Sequence, residues 1–213
     1  MPNIEKPVLK LPLFPLSTVL FPGGMMPLRI FEARYMDMVK AAIKHQSVFG
    51  IVLISKGKEA GDTAVPEAVG CTARIEAFDM NEPGIMLIAV RGEQRFKIDS
   101  TERMTNGLLV GDVQWLDADE FLPITGEFDP CRKLLARIIH DMEESASTLP
   151  EDQRALAQRL PQPHYMDDMG WVANRICEVL PIPNTAKQKL MELQDPTARL
   201  TIVRQFLQDK KVI

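Results

Sequence analysis

The chain has 213 residues, 46% of them apolar and 25% charged, an ordinary globular composition that excludes a disordered, collagen-like or disulfide-scaffold protein. Its 25 Lys and Arg against 29 Asp and Glu leave a formal net charge of −4 and a pI near 5.5. A sequence-independent grip on nucleic acid, which needs clustered cations to neutralise phosphates, is therefore not expected.

Val8 to Ile30 mixes short apolar runs with Pro12, Pro15, Pro22 and Pro27. Proline lacks the ladder donor and suits strand ends and edges, and Pro22-Gly23-Gly24 supplies a turn, so two short strands are predicted. The same prolines break any apolar signal-peptide core, and the first seven residues carry no basic region. There is also no uncharged apolar run of about 18 residues to span a bilayer. A cytoplasmic chain with no membrane partner is the expectation.

From Phe31 the period changes. Phe31, Tyr35, Val39, Ala42 and Ile43 recur at helical spacing, with Glu32 in the first turn and Lys40 and Lys44 in the last. Phe49 to Ile54 reads as a buried strand ending at a polar segment, Ser55 to Asp62. Val69 to Phe78 alternates, with Cys71, Ala73, Ile75 and Ala77 on one face. Asn81 to Gly84 is a turn; Ile85 to Val90 and Arg95 to Ile98 are predicted as two strands around Arg91-Gly92-Glu93, and Leu108 to Leu116 as another.

After Asp117 the pattern turns helical. An acidic connector, residues 119–129, separates a β-rich domain over 1–118 from an all-α bundle over 130–213, an α+β organisation. Pro130 suits a first helical position, and Cys131, Leu134, Leu135, Ile138, Ile139 and Met142 form one apolar stripe. A short helix is predicted over Asp152 to Leu160. Asp167 or Asp168 can cap the next, Asn184 the one after, and Asp195-Pro196 gives an N-cap with proline at N1 for the last.

The catalytic motifs with local signatures are missing. No G-x-x-x-x-G-K-[ST] loop occurs; Ser55-Lys56-Gly57-Lys58 lacks the first glycine and the hydroxyl. His45, His140 and His164 are far apart and there is no H-E-x-x-H, so no metal ligand is named; His140, Asp141, Glu143 and Glu144 read as a solvated face. No G-x-S-x-G elbow is present. Cys71, Cys131 and Cys177 lie at wide spacing with no C-x-x-C pair and read as reduced, buried, intracellular thiols. No cofactor is expected. Twelve methionines remain, most of them fillers of core gaps, and Met25-Met26 after the Pro-Gly-Gly turn suits a surface that repacks against varied apolar ligands.

The segments Pro12-Leu13-Phe14-Pro15-Leu16, Val19-Leu20-Phe21-Pro22-Gly23 and Pro27-Leu28-Arg29-Ile30-Phe31-Glu32-x-Arg34-Tyr35 resemble the opening of the N-terminal substrate-binding domain of Lon-type proteases. Val69 to Ile75 and Gly92-Glu93-Gln94-Arg95-Phe96 follow in the same order, and Asn174 to Ile182 is similar to the helical extension of stand-alone members. The resemblance implies a PUA-like first domain, a helical bundle behind it, and recognition of unfolded or damaged polypeptide segments, with a full-length protease as a further partner. It carries no ATPase or Ser-Lys peptidase motif. The peptide-contact candidates are Phe21, Pro22, Met25, Met26, Arg29 and Tyr35. Within the motif Arg29, Glu32 and Arg34 read either as an ion-pair cluster or as ligand contacts, and Phe31 with Tyr35 as the helix anchor. Two other readings stay open: a hydrolase whose groups converge only in space, and an RNA-binding PUA-like protein.

Overall fold

Proline and alternation divide the first half of the chain into strands. The structure, a computed structural model, describes residues 9–59, 64–148 and 163–213. Leu9–Leu16 (β1) and Met25–Ile30 (β2) are the two predicted N-terminal strands, followed by helix Ala33–His45 (α1), then Phe49–Lys56 (β3), Val65–Glu82 (β4), Ile85–Arg103 (β5) and Leu109–Trp115 (β6). The strand order is β2-β5-β4-β3-β1-β6 with β6 also paired to β5, so five strands close into a ring and β2 remains an edge. Only β1 and β3 run parallel, because β2 and α1 supply the crossover between them. Pro27 faces Ala89 of β5 and sits on the edge strand, where a missing donor is tolerated.

Two predicted strands, Ile85 to Val90 and Arg95 to Ile98, are one. At Gly92 the ladder shifts register, from Cys71↔Arg95 to Ala73↔Gly92, so β5 bends at a bulge instead of breaking. Thr72 sits opposite the extra residues, and its hydroxyl accepts from Gln94 N at 3.0 Å and donates to Gln94 O at 3.2 Å. The helix predicted from Phe31 begins at Ala33. Glu32 is extended at the N-cap (φ −80°, ψ 133°) and spends its carboxylate on Arg34 Nη2 at 2.7 Å, not on the helix N–H groups. Phe31 is 62% exposed and anchors nothing; Tyr35 does so alone, stacked on Phe14 with ring centroids 4.1 Å apart.

The described helices of the second half are Asp129–Ser147 (α2), Met169–Val179 (α3), Asn184–Glu192 (α4) and Pro196–Asp209 (α5). Of the two candidate caps, Asp168 accepts from Gly170 N and Trp171 N, while Asp167 pairs with Arg132 at 2.9 Å. Asp195 caps α5 through Thr197 N at 2.8 Å. Asn184 does not cap α4: Pro183 precedes the helix, and the Asn184 amide donates to Ser17 O on the sheet side. The helix predicted over Asp152 to Leu160 lies outside the described residues.

Three apolar clusters hold these elements. Leu11, Leu13, Val52, Phe96, Leu109 and Val113 fill one side of the sheet, and Phe14, Tyr35, Val39, Phe49 and Ile88 join the sheet to α1. The third cluster ties Val19, Phe21 and Leu53 to α2, α3, α4 and α5, so packing crosses the 119–129 connector. Polar groups cross it as well. Arg95 donates to the carbonyls of Met191 and Leu193 and to Asp119 Oδ1 at 2.6 Å; Arg199 donates to Asp119 Oδ2 at 2.6 Å, to Asn174 Oδ1 at 2.9 Å and to Leu190 O at 3.0 Å. Both guanidiniums are buried.

Candidate functional site

Gly23 adopts φ +74°, a conformation that favours glycine, and turns the chain from Phe21 into β2. The turn is bonded to the bend in β5: Gly23 N–H donates to Gly92 O at 2.7 Å and Gly92 N–H to Gly24 O at 2.8 Å. A Cβ on Gly92 would run into the Phe21 carbonyl, so two backbones meet where only glycine fits.

Helix α3 holds the turn from the other side. Arg175, fully buried, donates from Nη2 to Pro22 O at 2.8 Å and to Glu178 Oε1 at 2.9 Å, and its guanidinium lies 5.7 Å from the Trp171 ring centre. Its Nε and Nη1 have no hydrogen-bond partner among the described residues. Glu178 Oε1 occupies the space a side chain at Gly24 would need. Lys187 of α4 donates from Nζ to the Glu178 carbonyl at 2.7 Å.

Between this assembly and β2 lies a cleft of about 500 Å³. Val19, Leu20, Met25, Met26, Met142 and Val179 supply apolar wall, and Glu178 and Lys187 the charged part. Burial pushes the Glu178 carboxyl up to about 7, against the pull of Arg175 and Lys187. Burial likewise lowers the Lys187 ammonium, opposed by Glu178. A carboxylate near neutrality suits a general base, but Oε1 is taken by Arg175, and among the described residues no hydroxyl or thiol is hydrogen-bonded to Glu178. The three cysteines are fully buried, and burial pushes their thiols up to about 12, 11 and 12 for Cys71, Cys131 and Cys177, far from nucleophilic character. Among the described residues no group of three or more His, Cys, Asp or Glu could hold a metal ion.

Of the six sequence candidates, Pro22, Met25 and Met26 are half-buried at the turn and the cleft, and Arg29 is exposed farther along β2. Phe21 and Tyr35 are core residues, 0% and 5% exposed, whose large rings fix the strand and α1; they present no surface to a ligand. The Glu32–Arg34 pair of the motif is structural: Arg34 also donates to Gly107 O at 3.0 Å and lies over the Tyr35 ring. Glu178 and Val179 lie in the segment similar to the family's helical extension and Met142 in the α2 stripe, but nothing local marks them or Lys187 as site residues. A second groove of about 800 Å³ between α4 and α5 was missed too, lined almost wholly by apolar side chains such as Ile182, Leu190, Leu193, Ile202 and Phe206. Its one legible signal is Ile202, an apolar residue 49% exposed beside the inward stripe of α5.

The family model described as the ATP-dependent protease La (LON) substrate-binding domain matches residues 10–209. The chain belongs to that family. A Lon N-terminal domain protein from Xanthomonas campestris is 31% identical with a TM-score of 0.72, covering 92% of this chain and 97% of that one. The N-terminal domain of Lon protease from the Mycobacterium avium complex shares the fold, with a TM-score of 0.60 at 18% identity over 94% and 98% of the two chains. The Lon protease of Anaeromyxobacter dehalogenans is 26% identical over 212 residues, 95% of this chain but 23% of that protein. This member of the LON substrate-binding family thus spans about a quarter of the length of the curated relatives it matches. Its architecture is α+β, a mixed sheet followed by helices, and no described helix is long and apolar enough to cross a membrane.

Proposed function

We propose that this chain is a non-enzymatic recognition module that captures apolar segments of unfolded or damaged polypeptides in the cleft beside the Pro22–Gly24 turn. The observation that carries the reading is the wall of that cleft: three methionines, Met25 and Met26 of β2 and Met142 of α2, stand with Val179 around it. Thioether side chains have many rotamers and weak shape preference, which suits ligands of varied sequence. On this reading no nucleotide or metal is needed. The partners are the client chains and a full-length protease that degrades them, in the cytoplasm.

Titration of a fluorescent, acetylated and amidated peptide of Leu, Val, Ser and Gly tests this by anisotropy. Saturable binding at tens of micromolar is expected, about −6 kcal/mol. The double variant Met25→Ser with Met142→Ser should bind about tenfold more weakly, since each loses part of a buried apolar contact. Unchanged affinity in that variant, with loss instead in Ile202→Ser and Phe206→Ser, moves the contact to the groove between α4 and α5. No saturable binding at all sinks the reading.

A further inference from the structure

The charged part of the cleft has more to do than line it. Glu178 is the hinge of the wall: Oε1 faces the turn and accepts from buried Arg175, and the side chain keeps 19% of its surface open. Glu178 is also one of the residues lining the cleft in which the captured segment would sit. Resting on the capture reading above, we propose that seating an apolar segment in this cleft takes up a proton at Glu178, so that capture strengthens as the medium acidifies through neutrality.

The argument is one of competing solvation terms. A carboxylate removed from water is disfavoured by burial and favoured by nearby cations, and the balance decides its charge. The charged groups acting on Glu178 are Arg175 on its own helix and Lys187 on α4; Arg91 of β5 acts on Arg175 but is held by Glu76 at 2.9 Å. The thiols of Cys71 on β4 and Cys177 on α3 stay neutral. No titratable group comes from the Pro22–Gly24 turn, and the cleft residue of α2 is Met142. In the empty cleft burial already outweighs both cations, pushing the carboxyl up to about 7. Both cations are already engaged in the empty cleft: Arg175 donates to Pro22 O and to Oε1, and Lys187 to the Glu178 main-chain carbonyl. An apolar client therefore adds to the burial side alone. Its apolar side chains displace the last water from the carboxylate and offer it no donor, so the neutral acid becomes the better partner. By linkage, proton and client then promote each other's binding.

The same peptide, which has no group titrating near neutrality, measures this. One proton taken up per site allows at most a tenfold change in affinity per pH unit; binding about three- to tenfold tighter at about pH 6 than at about pH 8 is expected. Glu178→Gln keeps an oxygen for Arg175 and has no charge to lose. It should bind at about pH 8 as tightly as the parent does at about pH 6, with the pH slope gone, which separates Glu178 from every other titrating group. Capture that is flat or weaker on acidification, or a Glu178→Gln variant with the parent's slope, overturns the inference and leaves the capture reading standing. Absence of capture at every pH overturns the capture reading, and this inference with it.

Discussion

Asp119 is the shared counter-charge of two buried guanidiniums, and removing its carboxylate should be among the most damaging changes available to this fold. Arg95 and Arg199 have side chains 2% and 1% exposed, and both reach Asp119 oxygens at 2.6 Å. In Asp119→Ala two positive charges stay buried while their shared counter-charge is gone, a loss of about 3–5 kcal/mol when one partner of a buried pair is deleted. The carbonyls of Leu190, Met191 and Leu193 and the Asn174 side chain remain as acceptors, which argues for the lower end, about 3 kcal/mol. With a urea dependence of about 2 kcal/mol per molar, the unfolding midpoint should fall by about 1.5 M. Asp119→Asn keeps an acceptor of the same shape without the charge and should fall between the two. A midpoint in Asp119→Ala within about 0.3 M of the parent would refute the reasoning, by showing that the carbonyls alone satisfy both arginines.

The close approach of the turn to β5 predicts that Gly92→Ala lowers stability by about 2–3 kcal/mol, because a backbone carbonyl cannot move aside as a side-chain tip can. A thermal melt unchanged from the parent would contradict that. Glu178 holds its proton up to about pH 7 in the folded chain and only to its ordinary value of 4.5 when unfolded. The folded state therefore binds more protons between those limits. Its stabilising contribution is full below pH 4.5 and is lost as pH rises through 7, with a slope of up to about 1.4 kcal/mol per pH unit. Denaturation across that range should show a decline in the parent that is flatter in Glu178→Gln; identical profiles would mean that the carboxyl is not raised.

The elements were legible where a period runs unbroken. Cys131, Leu135 and Ile139 recur at helical spacing and are buried, and Asp195-Pro196 announces the start of α5 through local chemistry alone. The misreadings fall where tertiary contacts set the outcome. Arg91-Gly92-Glu93 looks like a loop, yet Thr72 from a neighbouring strand satisfies the backbone of the bulge and the ladder continues. Phe31 fits the helical stripe but lies before the helix begins. The site was half legible for the same reason. Pro22-Gly23-Gly24 and Met25-Met26 are adjacent in sequence and locate the turn, while the groups that face them come from residues 142, 178 and 187 on three other helices. Nothing local in an Arg and a Glu three positions apart marks them as a buried pair; only the fold shows that residues 169–177 of α3 are all buried. Nothing local links Arg95 to Arg199 either, although that clamp gives the Gly-x-x-Arg-Phe segment its arginine.

The placement of β1 governs how this protein must be made. Its residues come early in the chain, yet they lie inside the ring, with Leu13 beside both Gly50 and Leu109. A ribosome has to synthesise almost a hundred residues past Leu13 before the second of those neighbours exists, and about eighty more before Leu193 can accept from Arg95. Until then the nascent chain carries an apolar strand with one side unpaired. Folding dominated by such distant pairings is slow, so the strand at the heart of the ring is among the last to be fully paired.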